Sequence, residues 1–257
     1  MSIQNRILKS LKINSKKSHL VSVKSFQELR LTLMYHDKLN LKFWDGLELK
    51  QEVATKLLEI GYKWAEFAKI PQESIRDIIL VGGNANFNYT RFSDLDLHLV
   101  VDKTQIANCP ELLDDYLRDK KQLWALMHDI KIYAHPVELY AQDINDPLPA
   151  GQGVYSLLNT KWIKEPQKQQ VDLTDPLLFK KVHDMMEKID DLIENQADDP
   201  AVLKKLKDRI RDMRASAIQQ GGEFALENLV FKELRNRGYL DKLSTHIRNL
   251  EDKNLSL

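Results

Sequence analysis

Between residues 82 and 102 the chain reads GGNANFNYTRFSDLDLHLVVD: a glycine pair, a polar loop, then two aspartates alternating with leucines. In an extended strand successive side chains alternate faces. Asp94, Asp96 and His98 therefore project one way, and Leu95, Leu97, Leu99 and Val101 the other. Two carboxylates held this close repel each other and are costly to desolvate unless a cation or donors compensate. A divalent metal meets that need. Mg²⁺ takes oxygen ligands, and two such ions about 4 Å apart activate an attacking hydroxyl and stabilise a leaving phosphate. Gly82 and Gly83 permit positive φ and close backbone approach, so their amides suit a concave nest for a triphosphate. Asn84 and Ser93 are the further polar contacts expected there. A two-metal site needs a third carboxylate from a neighbouring strand. Glu138 in HPVELY, flanked by Val137 and Leu139, is the first choice, with Asp143 in reserve.

Elements on either side must position this loop. Residues 47–70 carry apolar side chains at helical spacing (Val53, Leu57, Leu58, Tyr62, Trp64, Ala65, Phe67), and Pro71 ends that pattern. The apolar run Ile78–Val81 reads as a buried strand entering the glycines, and 95–101 as a second strand. Residues 111–127 again have helical periodicity, while 130–142 are β-branched and aromatic, with Pro136 marking an edge or bulge. Residues 145–153 have loop composition, and VYSLLNTKWI after them fits a short helix or a strand equally. Beyond Pro166 only helical patterns remain, over 176–195, 200–220 and 223–250, with Pro176 and Pro200 at helix starts. The expected fold class is α+β: a small mixed β-sheet with flanking helices, followed by a C-terminal helical region. The expected boundaries are a basic N-terminal segment at 1–38, partly disordered, a catalytic domain at 39–168 and a helical domain at 169–257.

The 257 residues hold 38 basic and 38 acidic side chains, so no global field favours nucleic acid or a membrane surface. Arg6, Lys9, Lys12, Lys16, Lys17 and Lys24 precede the first acid and offer a local exception, although a solvated tail explains them as well. Cys109 is alone, which excludes an internal disulfide and fits a reducing compartment, with the cytoplasm as the default. No stretch is apolar and long enough to span a membrane.

Gly82, Gly83, Ser93, Asp94, Leu95, Asp96 and Leu97 together resemble the hG[G/S]…[D/E]h[D/E]h signature of the DNA polymerase β-like nucleotidyltransferases. Glu138 falls where that family's third acidic strand lies. Residues 39–165, and GGEFALENLVFKELRNRGYLDKL at 221–243, look similar to an uncharacterised nucleotidyltransferase group common in tailed phages, which implies a host cytoplasm. The resemblance implies a nucleoside triphosphate such as ATP, with Mg²⁺ or Mn²⁺ held by Asp94, Asp96 and Glu138. It also implies transfer of a nucleoside monophosphate to an acceptor with release of pyrophosphate. By position, Glu138 assists loss of the acceptor's proton, and Gly82, Gly83 and Ser93 contact the phosphates. The chain departs from the family where many members have Ser at the place of Gly83 and Gly at the place of Phe87.

The acceptor stays open among RNA, protein, a second nucleotide and a small molecule, and oligomeric state and base preference are unread. Two rival readings share the fold: a catalytically silent nucleotide sensor or interaction module, and a toxin or defence component. His98 reads as structural or as a neighbour of the acids' shell, and Arg91 and Lys161 as phosphate partners or, more simply, as solvated cations. The dipeptides His36-Asp37, His128-Asp129 and His183-Asp184 invite a metal phosphohydrolase reading, which needs further ligands from several helices. Tyr155 and Trp162 read as packing, and Gly221-Gly222 as a helix end.

Overall fold

A computed structural model describes residues 29–106, 109–195 and 199–257, and divides them into two compact units, residues 35–169 and residues 29–34 with 170–257. The basic stretch Arg6 to Lys24 lies outside the described residues.

The first unit is α+β. A short ribbon pairs β1 (Trp44–Asp45) with β2 (Glu48–Leu49), and α1 (Gln51–Phe67) follows. Its buried residues Val53, Leu57, Ile60 and Trp64 recur at helical spacing, as burial of one stripe requires. Lys69, at φ 56, and Pro71 prevent continuation. Next come β3 (Ile75–Val81), β4 (Leu95–Val101), α2 (Pro110–Met127), β5 (Lys131–Ile132), β6 (His135–Asp143), β7 (Val154–Ser156) and β8 (Lys161–Lys164). Six strands form one mixed sheet in the order β5-β6-β4-β3-β7-β8. Only β4 and β6 run parallel, and α2 is the crossover that this pairing demands.

Leu95, Leu97, Leu99 and Val101 are all fully buried and join Ile78, Leu80, Leu57, Trp64 and Leu113 in one core. Burying side chains of this size is worth about 1.5–3 kcal/mol each, so the apolar face of β4 firmly sets the direction of the opposite, acidic face. The stretch that fitted helix or strand equally is the β7–β8 hairpin. Trp162 stacks on Trp44 with ring centroids 4.7 Å apart, and Tyr155 meets Trp44 edge-on at 5.2 Å. The extended run at 130–142 is two strands, turned at Tyr133 and Ala134, both at positive φ.

The second unit is helical: α3 (Pro176–Asn195), α4 (Pro200–Gly221), α5 (Leu226–Asn236) and α6 (Tyr239–Leu255). The expected single helix over 223–250 is in fact a 3-10 turn and two helices, divided at Gly238, whose φ of 79 is left-handed. Asp199 caps α4 by accepting from the Ala201 amide at 2.8 Å, with Pro200 in the first turn. The expected N-terminal segment is divided as well: residues 29–34 belong to the helical unit and residues 35–38 to the sheet unit. Leu29 is buried among helix side chains, and the fully buried carboxylate of Glu233 accepts from the amide and hydroxyl of Thr32. Among the described residues no helix is long and apolar enough to cross a membrane.

Candidate active site

Asp96 lies in β4 and Asp94 one residue before it; Glu138 lies in β6. The parallel register makes Asp96 and Glu138 direct Cα partners, so strands about 4.8 Å apart deliver both acids to one row. Carboxylate oxygens of Asp94, Asp96 and Glu138 all come within 4.8 Å of one another. The aspartates are half-buried. The Glu138 side chain is 51% exposed and takes Lys121 of α2 as an ion-pair partner, Nζ to Oε1 at 3.3 Å. Three all-oxygen ligands in that span match the preference of Mg²⁺ or Mn²⁺ for carboxylates with remaining positions left to water or phosphate.

Val81, the last residue of β3, pairs with Asp96, which places Gly82 against the aspartate. Gly82 has φ 79, and a Cβ there would stand 1.7 Å from Asp96 Oδ2, so no side chain is possible. Gly83 has ordinary φ, but a Cβ would approach Ser93 Oγ to 3.2 Å. The Gly82 amide donates to Gln152 Oε1 at 3.2 Å, which brings the loop before β7 onto the glycines. Gly153 makes the same approach: a Cβ there would lie 2.3 Å from the Ala85 carbonyl oxygen.

Asn84, expected to touch nucleotide, is fully buried and engaged in holding the loop. Its Nδ2 donates to the Asp94 carbonyl at 2.7 Å and the Ser93 carbonyl at 3.3 Å. Its Oδ1 accepts from Asn40 at 2.9 Å, and its own carbonyl accepts from Trp44 Nε1 at 2.7 Å. With those bonds made, it positions Asp94 through the backbone. Ser93 is buried, accepts from the Thr90 amide at 2.9 Å through Oγ, and accepts from His135 Nδ1 at 2.6 Å through its carbonyl. Its hydroxyl stays beside Gly83.

Asp143, the reserve acid, is not in this group. It ends β6, where its carboxylate accepts from the amides of Asn145 and Lys103. His98 shares the acids' face and donates from Nδ1 to Gln142 at 2.9 Å; burial pushes its imidazole below the ordinary value, outweighing that bond. Phe87 is buried against Tyr35, ring centroids 6.3 Å apart, so the departure from the family's glycine fills core. Arg91 lies 4.6 Å over the exposed Phe92 ring, and Lys161 opens the edge strand β8.

Of the three His-Asp pairs, two lie in loops and His183-Asp184 lies in α3. His36 stacks on Tyr89 at 3.8 Å, His128 packs on Trp124 at 4.1 Å, and His183 pairs with Glu187 one turn along α3. His183, Asp184 and Glu187 are a second group able to approach one ion, but all three come from that single turn. Lys121 and Gln152 escaped the sequence reading. A lysine within a charged helix and a glutamine in a loop carry no local signal, because their partners are 17 and 70 residues away.

The fold and the cluster define an α+β chain with three converging carboxylates beside a glycine loop at the end of a mixed sheet. No protein-family model and no curated protein matches the chain. Among solved structures, the STING-associated CdnE c-di-GMP synthase from Capnocytophaga granulosa aligns over 80% of this chain and 83% of its own, at 11% identity and a TM-score of 0.20. A likeness that slight carries no argument about fold or activity.

Proposed function

We propose that the chain is a metal-dependent nucleotidyltransferase that moves a nucleoside monophosphate from a nucleoside triphosphate to an acceptor hydroxyl, releasing pyrophosphate. The observation that carries this reading is the convergence of Asp94, Asp96 and Glu138 within 4.8 Å, against a loop whose Gly82 admits no side chain. Three converging carboxylates suit a divalent cation, and Mg²⁺ or Mn²⁺ held there would neutralise phosphate charge and favour ionisation of the acceptor hydroxyl.

The chain's own residues do the rest. The side-chain-free Gly82-Gly83 turn lets the triphosphate approach the backbone closely, and Ser93 adds a hydroxyl at the same wall. Asn84 fixes the carbonyls on either side of the Ser93–Asp94 bond, and so the aim of the first acid. Glu138, the most exposed of the three, accepts the proton released by the acceptor.

The test uses purified protein with each labelled nucleoside triphosphate, Mg²⁺ and cell extract, followed by mass spectrometry of the labelled acceptor. The wild type transfers label. The Asp94→Asn, Asp96→Asn double variant loses at least about a thousandfold of that activity, as removal of metal charge at a phosphoryl centre entails. Transfer that persists in the double variant would sink the assignment.

A further inference from the structure

The acid row has a neighbour on the same sheet face. One step of two residues beyond Asp96 is His98, and one such step beyond Glu138 is Tyr140; the parallel register pairs them as Cα partners. This second row therefore lies roughly 7 Å along the strands from the carboxylates. Tyr140 is 45% exposed, although it sits in the middle of β6, and the His98 ring backs it at 5.1 Å between centroids. Lys121 Nζ reaches both rows, 3.3 Å from Glu138 Oε1 and over the Tyr140 ring at 5.9 Å from its centroid. A half-exposed aromatic ring, a cation over it and a proton-accepting carboxylate thus follow one another across a few ångströms. A planar ring, an anion and a hydroxyl in one ligand satisfy all three, which is the chemistry of a nucleoside phosphate.

We propose that Tyr140 and Lys121 form an acceptor subsite for a nucleotide, either free or as the terminal residue of a strand. Its phosphate draws the Lys121 ammonium off the Tyr140 ring and Glu138, its base takes the ammonium's place over that ring, and its ribose hydroxyl meets Glu138. This rests on the nucleotidyl-transfer reading and names the acceptor class for it. In the step served, the acceptor oxygen forms a bond to the α-phosphorus of the bound triphosphate. The bond from that phosphorus to the bridging oxygen breaks, and pyrophosphate leaves with the electron pair. The hydroxyl proton passes to the Glu138 carboxylate. While no acceptor phosphate is bound, Lys121 stays on Glu138. A phosphate that draws the ammonium away frees the carboxylate to take the proton.

The experiment uses the full chain, a fluorescent triphosphate analogue to read donor binding without acceptor, and α-labelled triphosphates with Mg²⁺ to read transfer. Adenosine 5′-monophosphate, a four-residue oligoadenylate and a serine-containing peptide are the acceptor probes. Either nucleotide probe is labelled, and the lower KM of the two tells a free nucleotide from a strand end. Tyr140→Ala raises the KM for that probe roughly tenfold or more, the effect expected of a lost base–aromatic stack, and changes donor binding by less than about twofold. Tyr140→Phe restores the lower KM, since it keeps the ring. Lys121→Gln raises the acceptor KM by about two- to fivefold, a loss that shrinks with added salt. Donor binding with label on the peptide alone, on no probe, or on a nucleotide probe with an unchanged KM in Tyr140→Ala would overturn the subsite and leave the transferase reading standing. Absence of donor binding would remove both.

Discussion

The sheet unit and the helical unit both place carboxylates out of full contact with water, and they do so in opposite ways. In the helical unit Glu233 is fully buried and satisfied. It accepts from the Thr32 amide at 3.0 and 2.9 Å and from Arg237 Nε at 2.7 Å. In the same unit Glu223 pairs with Lys232, and the fully buried Asn228 donates to the Glu223 carbonyl. Each acid there meets donors and a cation of its own. In the sheet unit Asp94, Asp96 and Glu138 converge on one another at the surface of a strand pair whose other face is buried, and Glu138 also pairs with Lys121. A fully buried carboxylate matched by donors and a cation holds structure together, whereas three carboxylates converging at a surface suit the binding of a cation.

The contrast is broken most forcefully at Gly82. Gly82→Ala would push a methyl into Asp96 Oδ2 at a backbone angle that L-residues avoid. Transferase activity should fall by about a hundredfold or more while the helical unit keeps its secondary structure by circular dichroism. In the helical unit, Glu233→Ala leaves Arg237 and the Thr32 amide without their partner. Chemical denaturation of the full chain should then show a loss of about 3 kcal/mol, with donor binding at the sheet little changed. Donor binding lost in proportion to stability would erase the division of labour between the two sets of acids.

Asn84→Ala sharpens the contrast from inside the site, because its carboxamide serves the loop. It should cost about 2 kcal/mol of stability through the orphaned Asn40 amide and the Asp94 carbonyl. In the protein that stays folded, donor KM should rise as the loop and Asp94 shift.

The smallest effect concerns His98. Its folded-state pKa is below the ordinary 6.5, so the folded protein binds fewer protons than the unfolded chain near that pH. Its contribution is present above 6.5 and is lost as pH falls through that value. The melting temperature should drop from pH 7.5 to pH 5.5 more in the wild type than in His98→Gln.

Much of the fold was legible in the residues. The alternation from Asp94 to Val101 set both faces of β4, the stripe Val53, Leu57, Trp64 set α1, and the stripe Leu178, Val182, Met186, Ile189 set α3. The break at Gly238 was not, because a glycine within apolar periodicity signals a helix end only when its φ is known. The β7–β8 hairpin was open because VYSLLNTKWI has no clean period. Its strands are held by Trp44, more than a hundred residues earlier.

The site divides in the same way. Local order determined the glycine turn and the aspartate pair, since alternation and backbone freedom depend on adjacent residues only. The sequence also nominated Glu138. That it pairs with Asp96, while Asp143 serves a turn, depends on strand register. The tertiary structure alone decided that Asn84 braces the loop, that Gln152 lies on the Gly82 amide, and that Lys121 and Tyr140 border the acid row. Such contacts join residues far apart along the chain. Packing of a core fixes which of them meet, and no short-range pattern records it.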